Sequence, residues 1–225
     1  MEDCGKAWDE TYGKEGQMKY RAVFFDLDGT LMDTSEGIFA GGRYAMEKVG
    51  VKIPHVKNWN VFIGPPLGDC FRLTFGIKDE KKIKELCEAY HEFYMREGRF
   101  MAKFYPGIPD VLKTLKEKGY ILGIASMKNE DLVKEMSRYF GNDIYFDIQL
   151  GIDLVGTVTK AELLRTGFRK LGLSPSECVL VGDTTIDQNA AKEVNCDCIR
   201  VNWGFGFTAA DEGTISRPEE ILKLV

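Results

Sequence analysis

The sequence predicts a three-layer α/β protein: a parallel β-sheet covered on both faces by helices, with a helical subdomain inserted early in the chain. Two observations carry this. From Pro106 onward, short apolar runs alternate with stretches of helical period, the pattern of βα units. Before it, an apolar run at 22–26 has no such partner, and the residues between it and 100 carry only helical or broken patterns.

Each element has a local reason. Residues 1–20 are polar, without period, and are expected to be an appendage. Ala22-Val23-Phe24-Phe25, ending at Asp26, is a buried strand. Ile38, Gly42, Ala45, Met46 and Val49 share a face of a helix over 36–49. Pro54, Gly64-Pro65-Pro66 and Gly68 interrupt regular structure across 54–76. A long helix over 79–99 lines up Ile83, Leu86, Cys87, Tyr90 and Tyr94, an aromatic stripe expected to be core. Ile108, Val111, Leu112 and Leu115 mark the next helix, stopped by Gly119. A strand over 120–125 follows. Asn129 caps a helix carrying Leu132, Val133, Met136 and Tyr139. The remaining strands are expected at 146–150, 178–181 and 198–201, the remaining helices at 161–171, 188–194 and 218–224. The division is 1–20 appendage, 21–34 with 101–225 the α/β core, and 35–100 the insert.

Composition narrows the function. Apolar residues make up 44% of the 225, enough for a sizeable core. With 30 Lys+Arg against 35 Asp+Glu, the net charge of −5 argues against a nucleic-acid binder. No apolar run reaches membrane-spanning length, and no signal-peptide core is present. The six cysteines are scattered, with no CxxC pair. Only two histidines, His55 and His91, are available, which disfavours a histidine-based zinc site or a Ser-His-Asp triad. A reduced, cytoplasmic protein is expected, monomer or homodimer, with neither a nucleic-acid nor a membrane partner.

In an open parallel sheet the loops after the strand ends converge on one crevice. Asp26 and Asp28 follow the first strand, Ser126 the second, and Asp183 and Asp187 the fourth. Lys160 follows the third strand, at the mouth of the next helix. Four carboxylates crowded together repel one another unless a hard divalent cation joins them, and Mg²⁺ is the usual choice. With Lys160 and the Ser126 hydroxyl, the cation makes a cradle for a phosphate. Gly29 lets backbone N–H groups approach an anion closely. A carboxylate beside a bound phosphoryl group can attack phosphorus. A second carboxylic acid two residues on can protonate the leaving oxygen and then deprotonate water.

Asp26-Leu27-Asp28-Gly29-Thr30-Leu31-Met32-Asp33-Thr34 resembles the first motif of the haloacid dehalogenase-like hydrolases. Ser126 after an apolar strand, Lys160, and Gly182-Asp183-Thr184-Thr185-Ile186-Asp187 resemble the second, third and fourth, in order and spacing, across residues 20–225. Alone, Asp-Leu-Asp-Gly is also a common turn; four motifs in order are not a turn pattern. The resemblance implies a Rossmann-like core with a helical cap at 35–100. It implies Asp26 as nucleophile and Mg²⁺ ligand, and Asp28 as acid/base with its backbone carbonyl on the metal. Ser126 and Lys160 would hold the phosphoryl oxygens. Asp183 would ligate Mg²⁺, and Asp187 would hold metal-bound water or orient Lys160.

Within the superfamily the chain looks most like phosphoglycolate phosphatase-type proteins, on Thr30, Phe62-Ile63-Gly64-Pro65-Pro66-Leu67 and Trp203-Gly204-Phe205-Gly206. Two departures are Ala125-Ser126-Met127-Lys128, where Thr-Ser-Lys or Ser-Asn-Lys is common, and Gln188 after Asp187. Gly29, Thr30, Ser126, Met127 and Lys160 are therefore expected on the phosphate side of the substrate. Gly64 belongs to a cap loop expected to dip into the site. Arg72 is a candidate reader of a substrate carboxylate, against the commoner solvent-facing arginine. Trp203-Gly204-Phe205-Gly206 is expected to be a turn whose aromatics shield the site. The implied activity is a Mg²⁺-dependent phosphatase of small phosphate monoesters. Phosphoglycolate, nucleoside monophosphates, sugar phosphates and pyrophosphate all stay open as substrates. A phosphomutase of the β-phosphoglucomutase type is disfavoured by Thr30, dehalogenation by the metal carboxylates, and a silent binding protein by the complete catalytic set.

Overall fold

The computed structural model describes residues 18–53, 59–153 and 158–225. Most of the expected appendage, and Pro54 and His55, lie outside the described residues. Strand β1 (Ala22–Phe25) leads to a two-residue strand β2 (Met32–Asp33) and helix α1 (Ser35–Lys48). Helices α2 (Leu67–Phe75) and α3 (Glu80–Arg96) follow, then the two-residue strand β3 (Lys103–Phe104). Next come α4 (Ile108–Glu117), β4 (Ile121–Asn129), α5 (Glu130–Phe140), β5 (Ile148–Ile152) and α6 (Lys160–Leu171). The chain closes with β6 (Cys178–Gly182), α7 (Thr185–Val194), β7 (Asp197–Val201), the short β8 (Thr214–Ile215) and a 3-10 turn at Pro218–Lys223.

Six strands form one parallel sheet in the order β5-β4-β1-β6-β7-β8. The chain builds outward from β1 through β4 to β5, then crosses back to lay β6 on the other side of β1. The strand order therefore reverses at β1, where open α/β sheets bind ligands. The first strand, without a neighbour in sequence, lies at the centre: Phe25 is in register with Ile124 on one side and Val181 on the other.

The alternation within β1 separates the two layers of core. Val23 and Phe25 face Val111, Leu112, Leu132, Val133 and the inserted helices. Ala22 and Phe24 face Leu164, Phe168, Ala190 and Ala191 of α6 and α7. The Phe24 ring meets Phe168 edge-on, centroids 5.4 Å apart. The inserted helices leave and rejoin this core through an antiparallel ribbon, with Met32 opposite Phe104 and Asp33 opposite Lys103.

Several expectations shift. The stretch 54–76 is not all irregular: Gly64, Pro65 and Pro66 break the chain, but α2 begins directly behind them with Pro66 as N-cap. Pro fixes φ at a value helix starts use, so the breaker is also the initiator. The third strand lies two residues later than expected, because a 3-10 turn at Asp143–Tyr145 takes up Phe146's side of the run. The last helix is a 3-10 turn rather than an α-helix. Tyr20, expected in the appendage, is buried, its hydroxyl bonded to Asp197. Among the described residues, no helix is long and apolar enough to cross a membrane.

Candidate active site

Asp26 extends β1 by one residue, its backbone N–H on the Val181 carbonyl of β6 at 3.0 Å. Asp183 stands one residue beyond β6, and Asp187 one turn into α7. Thr184 caps α7 in a reciprocal box: its hydroxyl meets the Asp187 N–H, while Asp187 Oδ2 accepts from the Thr184 N–H at 3.0 Å and its hydroxyl at 2.6 Å. Lys160 opens α6 behind a second such box between Thr159 and Glu162, so its direction is set by a fixed helix start.

These elements bring Asp26, Asp183 and Asp187 together, a carboxylate oxygen of each lying within 4.8 Å of the others. Lys160 Nζ enters the cluster, 2.7 Å from Asp26 Oδ1 and paired with Asp187 Oδ1. All four are buried. Both Asp187 oxygens are thus engaged, one by Lys160 and one by the helix cap. Asp187 is thus placed to orient Lys160, and it also belongs to the acidic group that could hold a cation.

Burial pushes the Asp26 carboxyl well above the usual range; Lys160 opposes this, and Asp187 and Asp183 add to it. Burial also pushes Asp183 up to about 6, against the pull of the Phe205 N–H. Lys160 is itself held charged, because Asp187 and Asp26 outweigh its desolvation. Three carboxylates and one ammonium leave the ionised cluster with two surplus negative charges. All its free donors are hard oxygens, so the donor set fits a divalent cation of the Mg²⁺ kind.

Backbone geometry supports Asp183 in particular. Gly29 adopts φ +88°, and a Cβ there would stand 2.3 Å from Asp183 Oδ2. Gly204 is equally confined: a Cβ would meet both that oxygen and the Gly29 carbonyl at 2.3 Å. The 203–206 segment is therefore more than a shield. Phe205 donates its N–H to Asp183 Oδ2 at 2.7 Å, and the Trp203 indole donates to the Thr30 carbonyl at 3.1 Å.

Asp28 stands apart from the cluster. Thr34 donates its hydroxyl to Asp28 Oδ1 at 2.6 Å, and Lys128 Nζ lies 3.1 Å from Asp28 Oδ2.

Comparisons with known proteins accord with this arrangement. The sequence profile of the haloacid dehalogenase-like hydrolases matches residues 23–201. The chain belongs to this family. It is 34% identical to a 5'-nucleotidase of Pseudomonas aeruginosa over 86% of this chain and 87% of that one. It is 30% identical to a phosphoglycolate phosphatase of Aquifex aeolicus over 91% and 96% of the respective chains. Among solved structures, a haloacid dehalogenase-like hydrolase from Streptococcus pneumoniae superposes with a TM-score of 0.83, at 29% identity over 91% of this chain and 98% of that one. The protein is a phosphatase, a phosphoric monoester hydrolase of the haloacid dehalogenase-like family.

The other candidates stand at the end of β4, behind Asp183 and on the insert. Ser126 and Met127 lie where β4 loses register with β5, between Ala125 and Asn129. That irregularity turns the strand end, and the buried Ser126 Oγ accepts the Lys128 N–H at 3.1 Å. Met127 is partly exposed beside it. Thr30 is wholly buried and donates its hydroxyl to Asp183 Oδ1 at 3.1 Å, so its side chain braces a carboxylate. A Cβ at Gly64 would stand 4.0 Å from Cδ1 of the exposed Ile186, the residue before Asp187. The Arg72 guanidinium is held by Asp69 at 2.8 Å and Glu80 at 2.6 Å on the half-exposed surface of α2.

Lys128 is the residue sequence reasoning missed. It stood in the quoted Ala-Ser-Met-Lys segment, but a lysine is by default a surface residue, and only the strand irregularity turns this one inward. Its side chain is 9% exposed.

Proposed function

We propose that the protein is a Mg²⁺-dependent phosphatase of small phosphate monoesters, working through an aspartyl-phosphate at Asp26. The observation that carries this reading is the buried Asp26–Lys160–Asp183–Asp187 cluster at the point where strand order reverses. Asp26 and Asp183 would hold the cation, with the Asp28 backbone carbonyl as a further donor. When bound, Mg²⁺ neutralises the carboxylates and draws charge from the phosphoryl oxygens.

The chain's own groups would do the rest. Lys160, fixed by Asp187, presents its ammonium to a phosphoryl oxygen. Ser126 Oγ donates to another. Asp26 Oδ attacks phosphorus in line, forming a P–O bond as the bond to the leaving alcohol breaks. Asp28 gives its proton to the leaving oxygen, then takes one from the water that attacks the acyl phosphate and releases inorganic phosphate. The helices at 35–100 would form a cap that excludes bulk water and reads the leaving group. The relatives' substrates supply the candidates: phosphoglycolate, a nucleoside monophosphate, or a pyrophosphate such as that handled by pyrophosphatase PpaX of Bacillus cereus, 30% identical over 83% of this chain.

A panel of these esters with Mg²⁺, followed by phosphate release, tests the reading. Activity on at least one ester is expected, lost with EDTA, restored by Mg²⁺ and poorly supported by Ca²⁺, whose looser shell misaligns an in-line attack. Full turnover after exhaustive chelation, or none on any ester, would contradict it.

A further inference from the structure

A contact between the inserted helices and the carboxylate of Asp28 runs through Tyr94 of α3. Lys128 Nζ, 3.1 Å from Asp28 Oδ2, also donates to the Tyr94 hydroxyl at 3.1 Å and lies over the Tyr94 ring, 5.0 Å from its centre. Tyr94 is buried and stacks on Tyr90, centroids 5.3 Å apart and planes 12° from parallel. The expected aromatic stripe of α3 is therefore core along most of its length, but its last ring ends on a cation of the sheet. Lys128 has a long, rotamer-rich stem, and nothing in its own strand fixes its ammonium. The groups that hold it are one carboxylate of the core and one hydroxyl and ring of the insert.

We propose that Tyr94 is a positioning residue which, by seating Lys128, makes the orientation of the Asp28 carboxylate depend on the insert's being in place over the site. This rests on the function proposed above, in which Asp28 protonates the leaving oxygen. If the insert moves off, Lys128 loses hydroxyl and ring together and keeps only Asp28, so its ammonium, and the carboxylate paired with it, are less firmly oriented. If it returns, the Tyr94–Lys128–Asp28 chain re-forms, and the Asp28 carboxylate is held most firmly beneath a closed insert. Thr34, the other side-chain partner described for Asp28, is the N-cap of α1 at the base of the insert.

The test is Tyr94→Phe, which keeps the ring and its stack and deletes one oxygen, alongside Lys128→Met and the double variant. Two esters are compared: p-nitrophenyl phosphate, whose acidic phenol leaves without help, and an alkyl phosphate such as glycerol phosphate, whose leaving oxygen needs Asp28. Tyr94→Phe is expected to lower kcat for the alkyl ester about tenfold with little change in KM, and to lower it much less for the nitrophenyl ester. In the Lys128→Met background the same change should cost nothing further, as groups acting as one unit do not add. Equal losses on both esters, or additive losses in the double variant, would overturn the proposal and leave the phosphatase reading standing. If wild type hydrolyses neither ester, the functional reading fails, and hydrogen exchange decides the positioning claim by itself. Faster exchange at the 127–129 amides in Tyr94→Phe would support it; unchanged exchange there would overturn it.

Discussion

Gly29 shows how narrowly a single residue is specified. Its φ of +88° suits glycine, and the missing Cβ leaves the space that Asp183 Oδ2 occupies. Gly29→Ala is expected to push Asp183 off its Phe205 and Thr30 bonds and to weaken Mg²⁺ binding at least tenfold, read by isothermal titration, with a smaller loss of stability. Unchanged metal affinity would separate Gly29 from the site. Thr30 teaches the converse. Its place in the motif put it among substrate contacts, whereas its buried hydroxyl serves Asp183. A motif gives residue type and order; which neighbour a hydroxyl turns toward is a tertiary matter.

At the scale of elements, two helix starts deliver the polar groups. Thr159 and Thr184 each close a reciprocal box, and each box fixes the residue beside it that meets the cluster, Lys160 or Asp187. Thr184→Ala removes a cap worth about 1 kcal/mol and frees Asp187 Oδ2. A lower melting temperature, by about 2–4 °C, is expected together with a loss of kcat larger than that loss of stability explains. The Thr159→Ala cap, whose glutamate partner is not in the cluster, should cost similar stability and less activity. The βα units from Ile108 onward were legible because apolar period, caps and glycine stops agree there. The two-residue strands β2, β3 and β8 were not, since a pair of residues carries no period. Helix α2 was hidden behind Pro65-Pro66, read as breakers. The cluster itself was legible, because strand ends in a parallel sheet converge by topology. The inward turn of Lys128 was not, because it depends on a lapse of register that no residue type announces.

For the whole molecule, the buried carboxylates link metal, pH and stability. Asp183 moves from an ordinary 3.8 up to about 6 in the folded chain, and Asp26 is raised as well. The metal-free folded protein therefore binds more protons than the unfolded chain between about pH 4 and 6. Stability contributed by these groups is present below that window and lost as pH rises through it. The cap carboxylates run the other way: Glu177, at about 2 beside the Ser174 N–H and Arg21, loses its contribution only as pH falls below the window. The EDTA-treated protein is expected to melt on the order of 5 °C lower at pH 7.5 than at pH 5. Asp183→Asn should flatten that slope, and Mg²⁺ should raise the pH 7.5 melting point of wild type. A chelated wild type whose stability climbs from pH 5 to 7.5 would contradict the assignment.

In the proposed mechanism, nucleophilic attack by Asp26 is the step on which the other roles depend. Asp26→Asn keeps the shape at the end of β1 and removes the attacking charge. The direct measurement is phosphate release by purified Asp26→Asn with Mg²⁺, on the best ester of the wild type, with circular dichroism showing an unchanged fold. A fall of about 10³-fold or more in kcat is expected. Turnover near the wild-type rate would contradict the aspartyl-phosphate mechanism.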